Sequence, residues 1–250
     1  MTKLALITGG SRGLGRSGAL HLAEAGCSVI ITYHSNKDAA DDVVNAIREH
    51  GQRARALKLD AGNTASFSEF IDELKHTLPF FDRDSIDYLV NNGGIGINAP
   101  IHATSEQQFD QLMNIHLKGP FFLTQALLPI ICDGGSILNI SSGLTRFSFP
   151  GYGAYAMMKG GIEVFTRYLA KELGERRIRV NTLAPGAIET DFRDGAVRDD
   201  ENMNAMIAGQ TALGRVGLPD DVGAAMRQLL GDDASWVNAQ RVEASGGMLI

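Results

Sequence analysis

Lys3-Leu4-Ala5-Leu6-Ile7-Thr8-Gly9-Gly10-Ser11-Arg12-Gly13-Leu14-Gly15 is the stretch on which the reading of this chain turns. Lys3 to Thr8 is a short apolar run of the kind that forms a buried strand, and it enters a glycine-rich turn directly. Ser17 to Ala25 then has helical composition, with Leu20 and Leu22 apolar and Gly26 as a stop. Strand, glycine turn and helix in that order are the setting of a dinucleotide-binding loop. Gly9, Gly13 and Gly15 permit a tight turn and close backbone approach, while the helix N-terminus attracts a diphosphate. The spacing is Gly-x-x-x-Gly-x-Gly rather than Gly-x-Gly-x-x-Gly, so the loop's place after the first strand carries the reading. A plain turn is the alternative.

Working outward, strands and helices alternate. Strands are expected at Ser28–Tyr33, Ala54–Leu59, Ile86–Val90, Ser136–Ile140 and Arg179–Ala184, with a last one near Gln240–Glu243. Helices are expected at Lys37–His50, Thr64–Leu78, Ser105–Leu128, Tyr152–Gly174 and Asp220–Leu230. Such alternation needs crossovers, so the fold class is α/β: a doubly wound (Rossmann) parallel sheet of about seven strands with helices on both faces. No linker or repeat divides residues 1–250, and one domain is expected. Residues 187–218 break the rhythm after a strand end, where open parallel sheets bind ligands, and read as a substrate loop or lid.

Composition narrows the function classes. A net charge of −6 without a dense Lys/Arg run speaks against a nucleic-acid partner. The most apolar region, Pro120 to Cys132, is too short to cross a bilayer, so no membrane partner is expected. Only Cys27 and Cys132 are present, and the start of the chain does not resemble a signal peptide, so the cytoplasm is the expected location. His21, His34, His50, His76 and His102 show no metal-ligand spacing, and no metal is expected.

The chemistry is carried by Tyr155 and Lys159. Four residues apart in a helix, they share a face. A free phenol has a pKa of about 10, and a nearby ammonium favours the phenolate, bringing the group into range for proton transfer. A surface tyrosine and a solvated lysine are the alternative. The end of the second strand should read the adenosine ribose. Tyr33-His34-Ser35-Asn36-Lys37 has no carboxylate until Asp38, whereas an acidic residue there would mark NAD. Arg12 can pair with a 2′-phosphate, helped by Ser35 and Lys37, so NADP(H) is the expected cofactor and NAD(H) the less favoured one.

Thr8-Gly9-Gly10-Ser11-Arg12-Gly13-Leu14-Gly15, Asp60, Asn91-Asn92-Gly93-Gly94, Ser142, Tyr155 with Lys159, and Pro185-Gly186 followed by Thr190 together resemble the short-chain dehydrogenase/reductase family over essentially the whole chain. The likeness is to its 3-oxoacyl-[acyl-carrier-protein] reductase-like and ketoreductase members. It implies catalytic roles for Tyr155 as acid/base, Ser142 as the donor that polarises the substrate oxygen, and Lys159 as the holder of the nicotinamide ribose that depresses the Tyr155 pKa. It implies a cofactor site of Gly9, Ser11, Arg12, Gly13, Leu14, Gly15, Tyr33, His34, Ser35, Asp60, Ala61, Asn92, Gly93, Tyr155, Lys159, Pro185, Gly186, Ile188 and Thr190. It also implies a homotetramer with the helices Ser105–Leu128 and Tyr152–Gly174 at interfaces. Gly93 stands where the family has alanine. His116 stands where the family places a proton-relay asparagine, with Asn114 two residues early. His116 is open to three readings: a side-chain relay that titrates near neutrality, a helix kink whose main-chain carbonyl holds the relay water, or a core residue.

Leu144, Phe147, Phe149, Phe192 and Met206 flank Ser142 or lie in the long excursion; Leu144, Phe149 and Phe192 are the leading substrate-wall candidates. Core packing is the alternative for each. The favoured expectation is an NADPH-dependent oxidoreductase that reduces a ketone, a 3-oxoacyl or other hydrophobic small-molecule carbonyl. The alternatives are an NAD(P)-dependent alcohol or sugar dehydrogenase running oxidatively, or a cofactor-binding regulatory protein with a dead site.

Overall fold

Strand β1 (Leu4–Ile7) has no exposed side chain, and its alternation assigns two layers. Leu4 and Leu6 enter one apolar cluster with Leu74 of α3 (Phe67–Thr77), Leu123 and Leu127 of α5 (Gly119–Leu127) and Leu169 of α6 (Gly153–Glu172). Ala5 and Ile7 enter the other, with Leu22 of α1 (Gly13–Glu24), Ile47 of α2 (Lys37–Glu49) and Met226 of α9 (Pro219–Leu230). A strand covered on both faces reads as continuously apolar, which is why this one shows no polar alternation.

The computed structural model describes residues 2–192 and 195–250. Position 1 of the expected 1–250 span and positions 193 and 194 of the expected 187–218 excursion lie outside the described residues. The remaining strands are β2 (Ser28–Tyr33), β3 (Ala54–Lys58), β4 (Ile86–Asn91), β5 (Ile131–Ile140), β6 (Arg179–Pro185) and β7 (Arg241–Ala244). They form one seven-stranded sheet in the order β3-β2-β1-β4-β5-β6-β7, parallel throughout. The chain leaves β3 at one edge and re-enters at β4 beside β1. The crevice outside the β1 and β4 ends is therefore the switch point at which doubly wound sheets bind ligands.

Two elements differ from expectation. Strand β5 starts at Ile131, before Gly134-Gly135, and its register with β4 shifts between Ile86 and Tyr88. The expected helix 105–128 is interrupted: α4 (Glu106–Met113) gives way to a π-helical turn at Asn114–Lys118 before α5 begins. Pro120 lacks an N–H, so it leaves the His116 carbonyl without its ordinary α-helical donor. The described residues of 187–218 contain two short helices, α7 (Ala196–Asp199) and α8 (Glu201–Gly209), and an isolated parallel bridge of Ile188 to Gly217 pairs the start and the end of the segment. No helix among the described residues is long and apolar enough to cross a membrane.

Candidate active site

The glycine turn is locked to the end of β4. The Thr8 hydroxyl accepts the Asn92 and Gly93 N–H groups at 2.9 and 3.0 Å, and Asn92 Nδ2 donates to the Thr8 and Gly9 carbonyls at 2.9 and 3.1 Å. A Cβ on Gly15 would stand 2.4 Å from the Gly9 carbonyl oxygen, so no larger residue fits there without moving backbone. Helix α1 has no acidic residue in its first turn and no side-chain cap, which leaves its first N–H groups available to an anion. This cradle fits a dinucleotide diphosphate. Thr190 lies against it, its methyl 3.6 Å from where a Cβ of Gly13 would be.

Around the expected ribose, Arg12 is exposed and makes no ion pair among the described residues. Lys37 is held by Asp41 at 2.5 Å. His34 Nε2 lies 3.8 Å from Asp60, whose Oδ1 accepts the Gly62 N–H at 2.9 Å and shapes the turn that follows β3. Tyr33, Ser35 and Ala61 lie at the same two strand ends. Pro185 closes β6, and the Gly186 N–H donates to Ala244 O at 3.0 Å.

Tyr155 sits in the first turn of α6, and its phenol neighbours the Ser142 hydroxyl beyond the end of β5, which favours the phenolate. Ser142 Oγ also accepts the Leu144 N–H at 3.2 Å, so it caps the short turn after it as well as meeting Tyr155. Lys159, one turn further, is buried, with Nζ donating to the Ile140 carbonyl at 2.7 Å and lying 5.7 Å from the Tyr155 ring centre. Burial pushes the Tyr155 phenol above its ordinary range, against a smaller lowering by Ser142. Burial also pulls Lys159 down to about 7. This departs from the expectation that Lys159 depresses Tyr155: in the chain by itself desolvation dominates, and each group is driven toward its neutral form.

His116 is buried in the π-helical turn, its ring edge-on to Tyr155 with centres 5.1 Å apart. Nε2 is 2.7 Å from the Ile95 carbonyl and 3.2 Å from the Ile95 N–H, while the buried Nδ1 has no protein partner. Burial, and then the Lys159 charge, push it down to about 3. The imidazole is neutral at physiological pH, and the expected titration near neutrality is corrected accordingly.

The apolar candidates divide into two groups. Leu144 packs with Tyr152, Tyr155 and Met158, and the Phe192 ring lies 6.1 Å from that of Tyr155. Phe147 and Phe149 instead pack on Ile207, Val216 and Met248, at the base of the 187–218 segment and the C-terminal tail. Met206 is half exposed on α8. Tyr152, one turn before Tyr155 and 6.5 Å from it between ring centres, is an aromatic neighbour of Tyr155 that the sequence reading did not single out. Its spacing from Tyr155 was the available signal. No group of three or more metal-ligating side chains is assembled among the described residues.

The tetrahydroxynaphthalene reductase PfmaG of Pestalotiopsis fici is 33% identical over 257 residues, covering 98% of this chain and 91% of that protein. Among solved structures, the promiscuous reductase LugOII, which catalyses keto-reduction at C1 during lugdunomycin biosynthesis, superposes with a TM-score of 0.94 at 35% identity, over 99% of this chain and 98% of that one. The angucycline C-6 ketoreductase LanV, solved with bound NADP, gives 0.93 at 33% identity, over 99% and 95%. The sequence model of the family described as enoyl-(acyl carrier protein) reductase matches residues 9–249, and with the cofactor cradle and the Ser142, Tyr155 and Lys159 cluster in place, the chain belongs to the short-chain dehydrogenase/reductase family.

Proposed function

We propose that this protein is an NADPH-dependent ketoreductase that converts the carbonyl of a hydrophobic, fused-ring ketone to a secondary alcohol. The observation that carries the reading is a buried Tyr155 beside the Ser142 hydroxyl, one helical turn from a buried lysine on the same helix. A bound nicotinamide would supply hydride to the carbonyl carbon. Tyr155 gives its phenolic proton to the carbonyl oxygen, so that C=O becomes CH–OH, and the Ser142 hydroxyl donates to the same oxygen as charge develops. Lys159, when protonated, steadies the phenolate that Tyr155 becomes and holds the nicotinamide ribose.

Arg12 faces the 2′-phosphate in this reading and sets the preference for NADP(H), with Ser35 as an accessory; Lys37 contributes less because Asp41 holds it. Asp60 and Ala61 meet the adenine, Asn92 and Gly93 line the adenosine side, and Pro185, Gly186, Ile188 and Thr190 frame the nicotinamide. NADP bound to LanV supports this choice. For the proton return path, the His116 main-chain carbonyl released by Pro120 is the favoured group, with Nδ1 as a second water acceptor. Leu144, Tyr152 and Phe192 form the wall beside the reacting carbonyl, while Phe149 acts through the base of the 187–218 lid. The names of PfmaG and LanV support a ring ketone over an open-chain oxoacyl group. The assembly is read as a homotetramer and the setting as cytoplasmic, the latter in keeping with two unbridged cysteines.

A panel containing tetralone and ethyl acetoacetate, followed by NADPH absorbance, tests the reading. Tetralone should be turned over with the higher kcat/KM, NADPH should be preferred over NADH by at least about tenfold, and Tyr155→Phe should lose about a hundredfold or more in kcat while still binding NADPH. Full activity in Tyr155→Phe, or a preference for NADH, would reject it.

A further inference from the structure

Behind the Ser142 loop lies a network of four charges to which the reaction just described assigns no task. Arg241, at the start of β7, donates from Nε to Glu163 Oε1 at 2.8 Å and from Nη1 to Glu243 Oε2 at 2.8 Å. Its Nη2 reaches the main-chain carbonyl of Ser142 at 3.3 Å and the Thr145 hydroxyl at 3.2 Å. Glu163 stands on α6 one turn beyond Lys159, and its Oε1 also accepts the Ser141 and Thr145 hydroxyls, each at 2.7 Å. Glu243 takes Arg146 in a two-pronged pair at 2.9 and 2.6 Å and accepts the Ser245 hydroxyl at 2.7 Å. Arg146 in turn holds the carbonyls of Met248 and Leu249. The network thus ties the loop carrying Ser142 to the helix carrying Tyr155 and Lys159, and to the C-terminal tail.

Stability alone is a poor account of such an arrangement. Half-buried ion pairs return little more than their desolvation costs, and apolar residues of similar size would serve a core as well. What charge-assisted, multidentate bonds supply is fixed geometry. The segment between β5 and α6 contains only one short 3₁₀ turn, at Gly143–Thr145. From within it Thr145 meets the Ser142 carbonyl through its N–H at 3.3 Å and its hydroxyl at 2.9 Å, and Arg241 is the tie that reaches that carbonyl from outside the loop. A displacement of about 1 Å in a reacting group can cost a hundredfold in rate.

We propose that Arg241 is a positioning residue for Ser142, held in place by Glu163 and Glu243, and that its loss detunes the hydroxyl that bonds the substrate oxygen. The proposal rests on the reading of Ser142 given above. The test is a double-mutant cycle between Arg241→Met and Ser142→Ala, with Arg241→Lys as the conservative variant. Rates are measured on tetralone, the ketone the panel above favours, and NADPH affinity by fluorescence titration. Arg241→Met should lower kcat by about tenfold to a hundredfold with NADPH affinity unchanged. Arg241→Lys should recover part of that loss. In the Ser142→Ala background Arg241→Met should cost less than about twofold, because residues acting as one unit are not additive.

Multiplicative losses, or a matching loss of NADPH affinity, would reduce Arg241 to a general structural role and overturn the proposal. An undiminished kcat in Ser142→Ala would instead remove the reading of Ser142, and the proposal with it. Should Arg241→Met fail to fold, Glu163→Gln takes its place in the cycle. It keeps an acceptor oxygen for Ser141 and Thr145 while removing the charge that holds Arg241. A several-fold loss confined to the Ser142 background is expected, and the same loss in Ser142→Ala overturns the proposal.

Discussion

A neutral, buried histidine beside a buried lysine has a cost that acid should expose. His116 falls from an ordinary 6.5 to about 3 because burial disfavours the imidazolium. The folded pKa lies below the unfolded one, so between these values the unfolded chain binds more protons and stability falls as pH falls. By pH 5 the separation of 1.5 units from 6.5 corresponds to about 2 kcal/mol. Urea unfolding at pH 7 and pH 5 should therefore show a smaller acid loss in His116→Asn than in the parent, by about that amount; equal losses would refute it. At this scale the sequence was readable wherever chemistry is local. Tyr155 and Lys159 share a helix face, and Ser142 follows directly on a strand. Arg241 and Glu163 were not readable, because they are 78 positions apart and no spacing rule links a strand start to a helix interior. Thr8, though part of the motif, was given no role of its own for a similar reason: its bonds to Asn92 and Gly93 exist only once β1 and β4 lie side by side.

Among the elements, the interrupted helix is the instructive one. Apolar spacing from Ser105 to Leu128 is continuous enough to read as a single helix, and Gly119-Pro120 was the break signal within it. What the sequence could not show is that the turn before Pro120 widens to a π form, in which the Gly119 N–H donates to the Asn114 carbonyl. Gly119 explains why the widened turn can sit where it does. A Cβ there would stand 2.0 Å from the Ala61 carbonyl oxygen and 2.8 Å from that of Asn114. Gly119→Ala would gain about 1 kcal/mol of helix propensity. The clash is with backbone, which cannot rotate away, so the net change should be a loss of about 1–3 kcal/mol. The Asp60–Gly62 turn would be pushed outward, so NADPH affinity should weaken together with Tm. Thermal unfolding with and without NADPH checks both, and an unchanged Tm would show that the turn yields to the added methyl.

The whole molecule poses a question of assembly that its own core does not answer. Both faces of the sheet are covered by the chain itself, yet α5 and α6 keep an outward apolar face, with Phe121 at 43%, Val164 at 45% and Tyr168 at 68% exposure around a groove of about 370 Å³. The parallel sheet was legible because strands buried on both sides are uniformly apolar, whereas an apolar stripe on an outer helix looks the same in sequence as one facing the core. In the homotetramer proposed above, a two-fold contact through this face would make only a dimer, and closing a tetramer takes a second, different contact. A charge placed in the groove should therefore halve the assembly without unfolding the subunit. Val164→Glu, a substitution at an exposed position with a small expected effect on subunit stability of about 0.5 kcal/mol, should sediment as a dimer where the parent sediments as a tetramer. Its circular dichroism should be unaltered. A parent that sediments as a monomer at micromolar concentration, or a variant that sediments as the parent does, would exclude the α5–α6 face as an interface.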